Sequence, residues 1–163
     1  MPDQWLRVIT DVYKSDRRKM VTYARQITQS FEAAEDAVHM AYLKLVKVNR
    51  FVEHPRTYIF RAIRHAAIDI VNQKFNGVAL TGELGETVDA KDGASREQVE
   101  TNEMLVHAIS QLSLDQREVI SLRLQTEMTF SEIAEVLMVP QGTVATHYRR
   151  GLEMLREIME VKS

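Results

Sequence analysis

Apolar residues in this chain recur at three- and four-residue spacings, and the places where the recurrence stops divide it into parts. Trp5, Val8, Ile9, Val12 and Tyr13 set one helical face between Gln4 and about Thr28. Arg17, Arg18 and Lys19 interrupt that face, and Val21, Ala24 and Ile27 resume it. Ser30 is placed to cap a second helix, Phe31 to about Val48, with Glu32, Glu35 and Asp36 favouring its N-terminal dipole and Val38, Ala41, Tyr42 and Leu45 facing inward. Pro55 opens a third helix to about Gln73, whose stripe is Ile59, Ile63, Ala66 and Ile70. From Asn76 to about Ala94 no period survives. Gly77, Gly82, Gly85 and Gly93 alternate there with Glu83, Glu86, Asp89 and Asp92, the composition of an acidic, flexible linker too polar to pack.

The pattern returns near Ser95. Val99, Leu105, Ile109 and Leu112 mark one helix, and Ser113 with Gln116 forms a capping box for another through Val119, Ile120, Leu122 and Leu124. A second capping box, Thr129 with Glu132, starts a short helix carrying Ile133, Ala134, Val136 and Leu137. Pro140 ends that helix and suits the first turn of the next, which points Val144, Tyr148, Leu152 and Leu155 inward. With no β-branched alternation, the chain reads as all-α. Two helical domains, residues 1–76 and 95–163, are joined by the linker at 77–94, and the second domain contains a helix-turn-helix. The turn position after Leu137 favours glycine, for a left-handed backbone, and holds Met138 instead, a strain of about 1 kcal/mol.

The outward faces carry the candidate chemistry. On the second helix Asp36, Met40, Leu43 and Lys47 succeed one another at helical spacing with His39 beside them. Apolar residues outward among charges suit either a helix buried on two sides or a docking surface with an apolar centre and polar rim. On the third helix Arg61, Arg64, His65 and Asn72 lie opposite the core stripe, with Lys44, Lys47, Arg50, Phe51, Arg56, Tyr58 and Phe60 upstream. Basic residues interleaved with aromatics suit single-stranded nucleic acid, where charge tracks phosphates and rings stack on bases, or else form a solvated face. Thr143, Thr146, His147, Arg149 and Arg150 lie on the open side of the last helix, as major-groove reading requires. An ordinary helical hairpin with a polar face would show the same residues.

Charge and composition narrow these options. The 163 residues have a net charge of −2, but the charge is uneven. Residues 1–76 carry 13 Lys and Arg against 8 Asp and Glu (+5), residues 77–104 carry 2 against 7 (−5), and residues 105–163 carry 6 against 8 (−2). So acidic a chain binds DNA weakly alone, because phosphate neutralisation supplies much of such affinity. There are no cysteines, which removes disulfides and thiolate metal sites and fits a reducing compartment. No apolar run approaches a membrane span and no signal-peptide pattern opens the chain, so membrane insertion is not expected and a cytoplasmic location is. Asp36 and His39 have the spacing of a helical metal half-site, but a four-helix di-metal centre needs two such pairs plus two further acids, and no second pair stands on a partner helix. Glu103 and His107 share a face as a surface pair. No nucleophile, base and orienter can be assembled, so the chain reads as a non-enzyme with no cofactor, no metal and no small-molecule substrate.

Taken in order, the blocks resemble the extracytoplasmic-function group of bacterial RNA polymerase sigma factors, over nearly the whole chain. A-E-D-A-V-H-M-A-Y-L-K-L-V (Ala34 to Val46) resembles that family's clamp-gripping helix, and H-P-R-T-Y-I-F-R-A-I-R-H-A-A-I-D-I-V (His54 to Val71) its minus-ten-reading helix. L-S-L-D-Q-R-E-V-I-S-L-R-L (Leu112 to Leu124) with the helix-turn-helix resembles its minus-thirty-five-reading domain. His39 and Met40 replace a usual glutamine and acid, Val46 a tryptophan, Ser113 a proline and Ala145 a lysine, and the basic run after the minus-ten helix is reduced to Lys74.

The resemblance implies a transcription initiation factor that binds core RNA polymerase, directs it to promoters and helps melt the minus-ten region. It implies docking on the β′ clamp helices through Asp36, His39, Met40, Leu43 and Lys47, with a further contact to the β flap. It implies minus-ten contacts from Asn49, Arg50, Phe51, His54, Tyr58, Arg61 and Arg64, and minus-thirty-five contacts from Thr143, Thr146, His147, Arg149 and Arg150. Promoter DNA and an anti-sigma factor are the other partners it implies. The alternative is a degenerate sigma-like regulator that binds an anti-sigma factor without initiating transcription.

Overall fold

The computed structural model describes residues 2–75 and 96–162, so the linker expected at 77–94 lies outside the described residues. The first domain is three helices: α1 (Pro2–Thr28), α2 (Phe31–Leu45) and α3 (Pro55–Phe75), each packed on the other two. The helix expected from Gln4 to about Thr28 is continuous through Arg17 to Lys19. Arg17 and Arg18 lie on the exposed side of α1, while Ile9, Met20, Tyr23 and Ala24 continue the buried stripe past them. Ser30 accepts a hydrogen bond from the Ala33 N–H at 3.2 Å, as an N-cap should. The far end of α2 is tied to α1 by Trp5, whose indole N–H donates to the Leu45 carbonyl at 2.7 Å. Beyond Leu45 the chain tightens into i to i+3 bonds (Lys47 N–H to Lys44, Val48 N–H to Leu45), so α2 stops short of Val48.

The second domain is α4 (Arg96–Ser110), α5 (Leu114–Ile120), α6 (Phe130–Leu137) and α7 (Gln141–Lys162). Both predicted capping boxes form. Ser113 and Thr129 each accept from the backbone N–H three residues on, and Gln116 and Glu132 accept in return from the cap N–H. α5 runs on into a π-helical turn, Ser121–Gln125, closed by the Thr126 N–H on the Ser121 carbonyl. That wide turn moves Leu124 off the apolar stripe, and it is exposed rather than inward. Leu105 is exposed as well, on a helix whose main packing is against α7. Among that helix's described side chains, from Glu103 onward, burial is confined to Ala108 and Ile109 in its last turn and to Leu112 just beyond it. Gly151 lets α7 approach α5 closely: a Cβ there would lie 3.1 Å from Ile120 Cγ1. Met138 takes the left-handed conformation that the turn demands (φ 57°, ψ 48°), with its side chain exposed.

The two domains do not sit apart. α6 lies along α3, and α5 with its π turn lies against α1. One buried cluster runs from Ile9, Tyr23, Val38, Phe60 and Ile63 of the first domain into Leu122, Met128, Ile133, Val136 and Val144 of the second. A smaller cluster of Ala108, Ile109, Leu112, Ile120 and Leu155 belongs to the second domain alone.

Candidate nucleic-acid interface

The outward face of α2 is built as its spacing predicts. Inward positions Ala34, Ala37, Val38, Ala41 and Leu45 are buried, which forces Asp36, His39, Met40 and Leu43 to solvent on the opposite side, with Lys47 exposed just past the helix end. Met40 and Leu43 are 39% and 48% exposed. The two-sided burial that would also explain the pattern is therefore absent here.

The loop between α2 and α3 brings a second group together. Asn49, Arg50, Phe51 and His54 are exposed, with Phe51 at 83%. The Arg50 guanidinium donates to the Tyr58 hydroxyl at 3.0 Å and lies 5.2 Å from that ring's centre. Tyr58 is held edge-on to Trp5, ring centres 6.1 Å apart. A cation, an exposed ring and a second ring fixed from behind form a surface that can take a phosphate and stack a base. Phe60, grouped with these by sequence, is fully buried beside Tyr23 and is not available for stacking.

Arg61 and Arg64 face the other way. α3 turns them toward the second domain, where Arg61 donates through Nε and Nη2 to the Glu135 carbonyl at 3.1 and 2.7 Å. That carbonyl belongs to the last turn of α6, where backbone acceptors lack helical partners. Arg64 Nε donates to the Glu118 carboxylate at 2.7 Å, and the Tyr23 hydroxyl donates to the same oxygen at 2.7 Å. Glu118 is 1% exposed. Burial works against the Arg64 charge, but the hydrogen bond and charge of Glu118 outweigh it and hold its pKa above the ordinary arginine value. Burial, reinforced by the Glu118 charge, pushes the Tyr23 phenol well above its usual range, so it remains a donor. Arg56 bridges Asp16 (3.2 Å) and the Thr126 carbonyl (2.7 Å), and Thr57 donates to Glu135 Oε1 at 3.0 Å. Arg117 returns the contact by donating to the Gln26 carbonyl of α1, and its burial lowers its pKa.

Glu118, Tyr23, Thr57, Glu135 and Arg117 were not legible as functional from sequence. The one signal was an acid within the buried stretch Glu118-Val119-Ile120, and its partners lie 54 and 95 residues away.

The last helix presents Thr143, Thr146 and His147 half-buried and Arg149 and Arg150 exposed. His147 lies 3.9 Å from Asp115, and Tyr148 packs edge-on to Phe130 with ring centres 5.3 Å apart, which fixes the face that α7 shows to solvent. Among the described residues no cluster of His, Asp and Glu could hold a metal ion, and no helix is long and apolar enough to cross a membrane.

Comparison with known proteins identifies this arrangement. Residues 12–74 match the sigma-70 region 2 family and residues 108–157 the sigma-70 region 4 family, which defines a sigma-type transcription factor. The chain is similar to two factors of Bacillus subtilis. It is 28% identical to the ECF RNA polymerase sigma factor SigW, over 91% of this chain and 86% of that one. It is 25% identical to the ECF RNA polymerase sigma factor SigX, over 98% and 86%. Its fold is similar to that of Bartonella quintana RpoE, solved with the anti-sigma factor NepR (TM-score 0.72, 18% identity, 94% of this chain and 99% of that one). It is also similar to Mycobacterium tuberculosis SigJ (TM-score 0.60, 18% identity, 90% and 52%). The chain belongs to the extracytoplasmic-function group of RNA polymerase sigma factors. It is a transcription initiation factor, not an enzyme, and its partners are core RNA polymerase and promoter DNA.

Proposed function

We propose that core polymerase docks on the outward face of α2, with Met40 and Leu43 as the apolar centre and Asp36, His39 and Lys47 as the rim. The observation that carries this is the exposure of those two apolar side chains on a face otherwise made of charged and polar groups. Asn49, Arg50, Phe51, His54 and Tyr58 hold the unpaired minus-ten strand, and Arg61 and Arg64 extend that contact along α3. Thr143, Thr146, His147, Arg149 and Arg150 approach the minus-thirty-five element in the major groove, placed there by the helix-turn-helix. The domains are residues 1–76 for docking and the minus-ten element and 95–163 for the minus-thirty-five element. The work is done in the cytoplasm, where polymerase is, and an anti-sigma factor restrains it, as NepR is paired with RpoE in the similar structure.

Run-off transcription with purified core polymerase on a randomised promoter library tests the reading. The expected result is a set of transcripts that share sequence at two spaced elements and vanish without the chain. Firm binding to core without any promoter-dependent transcript would replace it with a regulator that does not initiate.

A further inference from the structure

Trp5 makes two ties at once in the first domain. Its indole N–H donates to the Leu45 carbonyl at 2.7 Å, in a buried bond across 40 residues, and its ring lies edge-on to Tyr58 with ring centres 6.1 Å apart. Leu45 is the last residue of α2, and Tyr58 stands in the first turn of α3. One side chain therefore touches the point where the intervening loop leaves α2 and the turn into which it leads. Both anchors are reinforced locally. The Leu45 carbonyl also accepts from the Val48 N–H at 3.1 Å, and the His54 carbonyl accepts from the Tyr58 N–H at 3.0 Å and the Thr57 hydroxyl at 3.1 Å.

Between these anchors the loop holds Arg50 and Phe51 in an arrangement it has little reason to adopt by itself. Phe51 is 83% exposed, although a free loop gains by tucking such a ring against the core. Arg50 is kept over the Tyr58 ring and on its hydroxyl, so it hangs on a ring that Trp5 backs. Trp5 itself is 8% exposed, too buried to stack on a base. A buried tryptophan needs a partner for its N–H, but any nearby carbonyl would satisfy it. Here the partner is the carbonyl that ends the second helix and starts the loop.

We propose that Trp5 is a positioning residue for capture of the unpaired minus-ten strand. It clamps both ends of the loop, so that Arg50 and Phe51 meet the strand already ordered. The proposal rests on the reading of those two residues as strand contacts. Ordering a loop during binding costs affinity, and a clamp made in the fold removes that cost beforehand. The N–H is needed as well as the ring, because the bond to Leu45 sets the first anchor and the ring sets the second.

Holoenzyme assembled from core polymerase and the full chain tests this. The probe is the single-stranded non-template segment of a promoter recovered from the randomised library. Phe51→Ala should weaken probe binding about tenfold, the loss of one stacked base. Trp5→Phe, which removes the N–H, should weaken it by a similar factor while core affinity changes less than about threefold. In the Trp5→Phe background, Phe51→Ala should then cost no more than about threefold, since a ring no longer held in place has less to lose. Unchanged probe binding by Trp5→Phe, or equal costs of Phe51→Ala in both backgrounds, overturns the positioning role. So does a loss of core binding as large as the loss of probe binding, which would make Trp5 a support of the whole domain. If Phe51→Ala leaves probe binding unchanged in the unmodified background, the reading of the loop fails and takes the proposal with it.

If Trp5→Phe loses its helical signal, the benzothiophene analogue of tryptophan decides. Trp5 is the chain's only tryptophan. Expression in a tryptophan auxotroph fed this analogue therefore exchanges the indole N–H for sulfur at that position alone and keeps the shape of the ring. The same weakening is expected, and probe binding as tight as that of the unmodified chain overturns the proposal.

Discussion

The outward face of α2 and the inner face of α3 invert the usual order of a protein surface. On α2 the apolar side chains Met40 and Leu43 stand in solvent, while on α3 the charged side chains Arg61 and Arg64 are drawn under a second domain. Each inversion has a cost that folding the first domain alone does not explain. Apolar area left wet forgoes roughly 25 cal/mol per Å², and a guanidinium taken from water must find oxygen partners to offset its desolvation. The α2 face has no partner within the described chain, which suits a surface kept for another molecule. The α3 face has a partner supplied by its own chain, which suits a contact that joins the two domains.

The contrast can be broken most severely at Glu118. Glu118→Ala leaves Arg64 half-desolvated without its counter-charge and Tyr23 without its acceptor, and should cost the folded chain about 3–5 kcal/mol, read from thermal or urea unfolding of the full chain. A loss below about 1 kcal/mol would mean that the pair is incidental to the packing. Leu43→Asp should do the opposite. It places a charge at the centre of the docking face and should weaken core binding by roughly 2–4 kcal/mol while leaving the unfolding curve in place, since Leu43 is already exposed. Together the two variants separate the face that serves a partner from the face that serves the fold.

A third surface sharpens the contrast because it is both charged and free. Arg149 and Arg150 are exposed on α7, and neither is covered by the first domain. Thr143, Thr146, His147 and Arg150 share the open side of the helix by spacing, while Tyr148 turns inward onto Phe130. Arg150→Ala should therefore cost about 1–3 kcal/mol and relax preference at one promoter position, whereas Arg149→Ala should weaken all promoters alike and reduce the salt dependence. Transcription of a promoter-variant library with each mutant reads the difference, and uniform weakening by both would make this helix a positioning element only. The smallest effect is expected at the turn before it. Met138→Gly relieves a left-handed backbone at an exposed site and should stabilise the chain by about 0.5–1 kcal/mol, measured by thermal unfolding, without changing core or DNA binding.

These surfaces were legible in the sequence to different degrees, for physical reasons. Helices are written in local spacing, so the α2 and α3 stripes, both capping boxes and the left-handed Met138 could be read from neighbouring residues. The α2 face came by subtraction, since knowing which side is buried gives the other. The π turn was not readable, because a single extra residue per turn leaves no mark in a stripe as short as Val119 to Leu124. The contact between domains was illegible for a different reason. Whether Arg64 meets solvent, a phosphate or Glu118 depends on a pairing 54 residues away, and its local pattern is that of any basic helix face. Composition divides the chain into two domains and a linker, but it carries no sign that the two domains share one buried cluster.

If the two faces divide the work in this way, core polymerase engages α2 and not the contact beneath the second domain. The most direct measurement is the affinity of purified core polymerase for the unmodified chain, for Leu43→Asp and for Glu118→Ala, each below its unfolding transition. Docking on α2 predicts undiminished binding by Glu118→Ala and binding weaker by roughly 2–4 kcal/mol for Leu43→Asp. Core binding that survives Leu43→Asp unchanged would contradict it.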